Sequence, residues 1–168
     1  MKISLLKAAT NPNPEADRHI HNFTYSFYPH RGDFRTGKTV REGYLLNIPL
    51  IADVVDEQDG TLAEEYSLIY CEQENIVIET IKKAENDNGI IVRLYDAYNQ
   101  RGKANIVVGF EFEKGFLCTM MEDAIEELDC GDGKIQISYK NYEIITLKFI
   151  TREERHDEIS KNIYTGGK

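Results

Sequence analysis

Residues 22–28, NFTYSFY, place Phe23, Tyr25 and Phe27 at every second position, with Thr24 and Ser26 between them. Side chains of a strand point alternately to its two faces, so this spacing predicts a half-buried strand rich in aromatic residues. Two more strand-like runs, NIVIETI at 75–81 and GIIVRLYDAY at 89–98, flank a polar turn containing Asn88-Gly89. That dipeptide tolerates positive φ and predicts a hairpin. In the second run Ile90, Val92 and Leu94 fall on one face, and Ile91, Arg93 and Tyr95 on the other. After the turn NQRGK, the run ANIVVGFEFE at 104–113 sends Ile106, Val108, Phe110 and Phe112 to one side. GFLCTMM (115–121), KIQISY (134–139) and YEIITLKFI (142–150) continue the series, with CGDGK as a further Gly-rich turn. Only MEDAIEELD (121–129) is tempting as a helix, and its apolar positions are few. Short strands at regular spacing with turns between them predict an all-β, antiparallel sandwich, because each sheet must bury its apolar face against another.

A boundary is expected near residues 55–62, where Asp56, Glu57, Asp59 and Gly60 interrupt the apolar pattern. Charge supports it. Residues 1–50 carry seven Lys/Arg against four Asp/Glu, whereas residues 51–168 carry thirteen against twenty-five, for a net charge of -9 over the chain. The organisation expected is therefore 1–55, 61–151, and a polar tail 152–168 in which EERHDEISKNI could form a short surface helix. Neither repeats nor low-complexity tracts occur.

With 168 residues and 41% apolar content, the chain can build a core. Its acidity argues against nucleic-acid binding, which needs clustered Lys and Arg. No apolar run approaches the roughly 20 residues of a membrane-spanning helix, and the apolar stretch in the N-terminal MKISLLKAATNPNP is too short for a signal peptide, so no membrane partner and a cytoplasmic location are expected. Cys71, Cys118 and Cys130 are odd in number and lack CxxC spacing, which suits reduced thiols rather than disulfides or a zinc site.

Chemistry is sparse. Asp17, His19 and His21 alternate, and His30 follows; they read either as a metal or acid/base site, or as a hydrogen-bonded cluster at a domain edge. Carboxylate pairs perform glycosidic cleavage, but none of the 29 Asp and Glu stands out, and those from Glu122 to Asp132 read as a solvated surface. There is no GxSxG, P-loop or dinucleotide motif. Asn22-Phe-Thr fits a glycosylation sequon, which means little without an export signal. Ten Tyr and seven Phe could include a sugar-stacking platform, although Trp is absent and aromatic residues at period-2 positions are usually core.

Several blocks, taken in order, resemble the C-terminal part of glycoside hydrolase family 38 α-mannosidases of the bacterial and cytosolic or vacuolar type. These are ISLLKAATNPNPEADRHIHNFTYSFYPHRGDF (3–34), LNIPL (46–50), ENIVIETIKKAENDNGIIVRLYDAY (74–98) and YEIITLKF (142–149). Two departures are His19, where the family usually has Gly, and Asn141-Tyr142, in place of Pro-Phe. The resemblance implies a retaining exo-hydrolase of terminal α-linked mannose, with its catalytic carboxylates and its zinc or other divalent metal in a catalytic domain that this chain lacks. By that resemblance, residues 1–55 are the end of a large central β-sandwich and 61–151 a small terminal one. The chain itself is expected to hold no catalytic, cofactor or metal residues and to be inactive alone. It would serve as a scaffold packed on the rest of the α-mannosidase polypeptide, with mannosides reached only through the whole enzyme. His21, His30, Arg93 and Asp96 are the candidates for polar interdomain contacts; the alternative for each is a solvated or locally paired side chain. An independent carbohydrate-binding or protein-interaction sandwich, and a small metal-dependent hydrolase built on Asp17, His19, His21 and His30, are the alternatives.

Overall fold

The computed structural model describes residues 2–57 and 63–151. Residues 58–62 of the expected boundary and the whole 152–168 tail, with its suggested helix, lie outside the described residues. The chain divides into two compact units, 1–52 and 53–168.

The second unit is a two-sheet antiparallel sandwich. One sheet has the order β1-β4-β7, formed by Ile69–Cys71, Gly102–Val108 and Lys134–Tyr139. The other has the order β2-β3-β8-β5-β6, formed by Ile76–Lys83, Gly89–Asp96, Ile144–Ile150, Lys114–Cys118 and Ala124–Glu127. All neighbouring strands are antiparallel. The core lies between the sheets: Ala104, Ile106, Ile135 and Ile137 from the first meet Val92, Leu94, Leu147 and Phe149 from the second. Phe110 and Phe112, beyond the end of β4, keep the side assigned by alternation and meet Phe149 edge to face, with ring centroids 5.8 and 5.0 Å away.

Two local expectations are corrected. The hairpin between β2 and β3 forms, but without positive φ at Asn88 or Gly89. Its connection spans residues 84–88 and is closed by Asp87, whose Oδ1 accepts from Gly89 N at 2.8 Å. The helix candidate at 121–129 instead contains the edge strand β6, whose four residues are all exposed. Edge strand β2 carries an irregularity between Ile78 and Thr80, where the register to β3 shifts.

The first unit contains no strand among its described residues. NFTYSFY does not enter a ladder, and Phe23, Tyr25 and Phe27 are 52%, 63% and 70% exposed. Alternation states which side chains would share a face; it supplies neither a neighbouring edge nor a second layer, and within this unit the segment has neither. An element that the pattern did not announce is helix α1, Thr39–Asn47, none of whose residues is buried. Asp33 builds the turn leading to it, its Oδ1 accepting from Arg35 N and Thr36 N at 3.0 Å each.

Candidate functional site

The outer face of the five-stranded sheet is where the polar residues singled out from the sequence meet new partners. Val92 and Leu94 point into the core, so Ile91, Arg93 and Tyr95 of β3 point outward. Register then fixes their outward neighbours: Lys82 and Lys148 beside Ile91, Thr80 and Thr146 beside Arg93, Val77 and Ile144 beside Tyr95. From β5, Phe116 and Cys118 extend the same face beside Lys148 and Thr146.

The connection 119–123, between β5 and β6, straps across this face. Thr119 shapes it, its Oγ accepting from Met121 N and Asp123 N at 3.2 Å. Arg93 Nη2 donates to Met120 O at 2.9 Å and lies 3.5 Å from Glu122 Oε1. Glu122 reaches as far as edge strand β2: its Oε1 is 2.9 Å from Lys82 Nζ, and its Oε2 accepts from Glu85 N at 2.9 Å. Hydrogen bonds from Lys82 and then from the Glu85 amide, helped by the nearby cations, outweigh burial and hold the Glu122 carboxyl below its usual range. The same pairing, with Glu85 first and then Glu122, raises Lys82. Ile91, Thr146 and Cys118 are buried on this outer face, and Glu122 is only 7% exposed. Glu122 thus departs from the solvated surface expected of it. Its role escapes the sequence because its partners Lys82, Glu85 and Arg93 lie 40, 37 and 29 positions upstream and because it adopts φ 72° without being glycine.

Asp96, at the end of β3, is completely enclosed. Its carboxylate accepts from Asn75 Nδ2 at 2.8 Å, Tyr98 N at 3.2 Å, Gln100 N at 2.7 Å and Tyr142 N at 3.0 Å. Asn75 also donates to Tyr139 Oη at 3.0 Å. Burial pushes the carboxyl up, but the hydrogen bonds from Asn75, Tyr142, Gln100 and Tyr98 prevail and keep it below the usual carboxylate range. One side chain therefore ties the β1–β2, β3–β4 and β7–β8 connections together at one end of the sandwich. With no exposed surface, Asp96 is an internal organiser rather than a contact to another domain.

In the first unit, His21 Nε2 donates to Asp17 O at 2.9 Å, and the His19 and His21 rings lie 4.0 Å apart. His30 sits 3.3 Å from both Arg31 O and Thr39 Oγ1, with Gly37 so close that a Cβ there would run into its ring. The four candidates are thus all locally paired. Asp17, His19, His21 and His30 form no metal site: among the described residues no group of three or more His, Cys, Asp or Glu side chains is placed to hold a metal ion. Cys71, Cys118 and Cys130 are free, and burial raises each thiol.

What these elements define is a β-sandwich module in which Asp96 holds the connections at one end and Glu122 holds the strap to the outer face. Residues 75–147 match the glycosyl hydrolases family 38 C-terminal beta sandwich domain. The chain is 26% identical over 161 residues to alpha-mannosidase 2C1 of Homo sapiens, covering 93% of this chain and 15% of that protein. It is 29% identical over 153 residues to alpha-mannosidase G of Dictyostelium discoideum (89% and 14%), and 27% identical over 170 residues to an alpha-mannosidase of Saccharomyces cerevisiae (96% and 14%). The family match thus falls within the β unit, and the chain spans about one seventh of the length of these α-mannosidase relatives.

Proposed function

We propose that the chain is the non-catalytic C-terminal portion of an α-mannosidase that removes terminal α-linked mannose, and that it acts as a scaffold and packing unit for the rest of that polypeptide. The observation that carries this reading is the combination of a family 38 sandwich with relatives named α-mannosidases that are about seven times longer. The side chains agree with it: Asp96 and Glu122, the two buried carboxylates among the described residues, have their oxygens occupied by internal donors. Neither is available as an acid, base or nucleophile. The divalent metal and catalytic carboxylates belong, in this reading, to the catalytic region of the parent enzyme. Three free thiols fit a reducing compartment, and we assign the protein to the cytoplasm.

The test is the mass of the native polypeptide, read by immunoblot of source lysate, together with assay of this chain alone on an aryl α-mannoside. A band several times heavier than 19.3 kDa and no turnover by the chain alone are expected. A band at that mass would overturn the reading and favour an independent carbohydrate-binding or protein-interaction sandwich. That second reading has one feature in its support. On the outer face of the three-stranded sheet, Glu72, Asn105 and Gln136 form an exposed hydrogen-bonded row, with Asn105 Nδ2 2.9 Å from Glu72 Oε2 and Gln136 Nε2 3.0 Å from Asn105 Oδ1.

A further inference from the structure

The two outer faces of the sandwich differ in kind. Across the three-stranded sheet runs the polar row Glu72–Asn105–Gln136, with spare donors and acceptors open to water. Across the five-stranded sheet, Val77, Tyr95 and Ile144 stand side by side on β2, β3 and β8. Ile144 is 57% exposed, and the strap adds Met120 and Met121, 58% and 79% exposed. Tyr142 precedes β8 by two residues; its backbone amide is held by Asp96, and its φ is 53°.

The charges of this second face are neutralised within it. Lys82 and Arg93 pair with Glu122, Lys148 with Asp87 at 3.0 Å, and Lys114 with Glu127 at 3.2 Å. A face turned to water has no need of such pairing, since water screens its charges; a face that becomes covered does, because an unpaired charge would be desolvated there at high cost.

We propose that the outer face of the five-stranded sheet, centred on Val77, Tyr95, Ile144 and the Met120–Met121 strap, is the surface covered by the remainder of the α-mannosidase polypeptide. This rests on the reading that the chain is part of such a polypeptide. The occupant follows from length: the matched region is 15% of the human relative, so most of a protein of that size is tethered to this sandwich at high effective concentration. Its chemistry follows from the face. The covering surface is apolar and brings no unpaired charge, because every cation among Lys82, Arg93, Lys114 and Lys148 already has its partner. Met side chains on the strap suit such a contact, being flexible enough to fill an irregular apolar surface.

Hydroxyl-radical footprinting of the native full-length polypeptide tests this, with each residue's labelling rate divided by its rate after denaturation. The proposal expects Met120, Met121 and Tyr95 to be protected by about fivefold or more, while Tyr70, 47% exposed at the edge of the opposite sheet, stays reactive. Ile144→Lys should return Met120 and Met121 to the reactivity of Tyr70, and Gln136→Lys should leave them protected. In a polypeptide shown to be long, free reactivity of Met120 and Met121, or equal protection of Tyr70, overturns the choice of face and leaves the parent-enzyme reading standing. Protection that disappears on dilution assigns the face to a second copy and overturns the occupant. A native polypeptide of only 19.3 kDa removes the reading beneath it.

Discussion

Phe149 and Phe27 show how differently the two units use the same side chain. Phe149, on the central strand β8, has no exposed surface and meets Phe110 and Phe112 edge to face. Phe27 is 70% exposed in a segment that the same kind of alternation had marked as a strand. The sandwich closes its apolar faces on each other, whereas residues 2–52 leave Ile3, Leu5, Phe23, Tyr25, Leu50 and Ile51 open. Alternation is thus a property of a segment, while a strand is a property of a pair of segments and a layer beneath them.

Substitution should expose that contrast most sharply at the two phenylalanines. Phe149→Ala is expected to cost about 3–5 kcal/mol in urea unfolding of the chain, and Phe27→Ala less than about 0.5 kcal/mol. Equal losses would mean that residues 22–28 are packed after all. Next in size is Asp96→Ala, which strands one side-chain donor and three backbone amides at the end of the sandwich. A loss of about 3 kcal/mol is expected in the same measurement, and a loss under about 1 kcal/mol would show that solvent replaces the carboxylate freely.

Acid comes third. Asp96, Glu122 and Asp87 are all held below the usual carboxylate range, the last chiefly by the hydrogen bond from Lys148. Because their folded values lie below their unfolded ones, they stabilise the sandwich above about pH 4, and that contribution disappears as the pH falls through the folded values. Thermal unfolding followed from pH 6 to pH 2 should therefore show Tm falling below about pH 4, less steeply in Glu122→Gln. A wild-type Tm that stays flat through this window contradicts the assignment. The smallest effect on the sandwich is expected from Gly37→Ala, which forces a Cβ against His30. Hydrogen exchange should quicken at Gly37, Lys38 and Thr39, whose amides close the turn onto α1, with the sandwich unchanged within about 0.5 kcal/mol. Destabilisation of both units would show that they fold as one.

The strands that could be read in advance, β2, β3, β4, β5, β7 and β8, are those whose pattern is matched by an opposing layer. Three residues make β1 too short for a pattern, and β6 has no buried position to reveal it. Helix α1 offered no start signal: its N-cap is Lys38, in a left-handed conformation and without a side-chain cap. Arg93 and Asp96 were legible as polar intrusions into an apolar run, but their partners were not. Glu122, Asn75 and Tyr142 stand 29, 21 and 46 positions away. No local rule pairs residues so distant; only the register of the sheets brings them together.

The irregularity between Ile78 and Thr80 has a consequence for the protein at high concentration. Intermolecular zipping needs a straight, regular row of free backbone groups, and β2 interrupts its row there, while the sheet's other edge, β6, presents Glu126 and Glu127. The five-stranded sheet is thereby guarded at both rims against fibrillar stacking. Strand β7, with a straight register and no proline, carries a charge only at its first residue, Lys134, and templated aggregation would begin at residues 135–139.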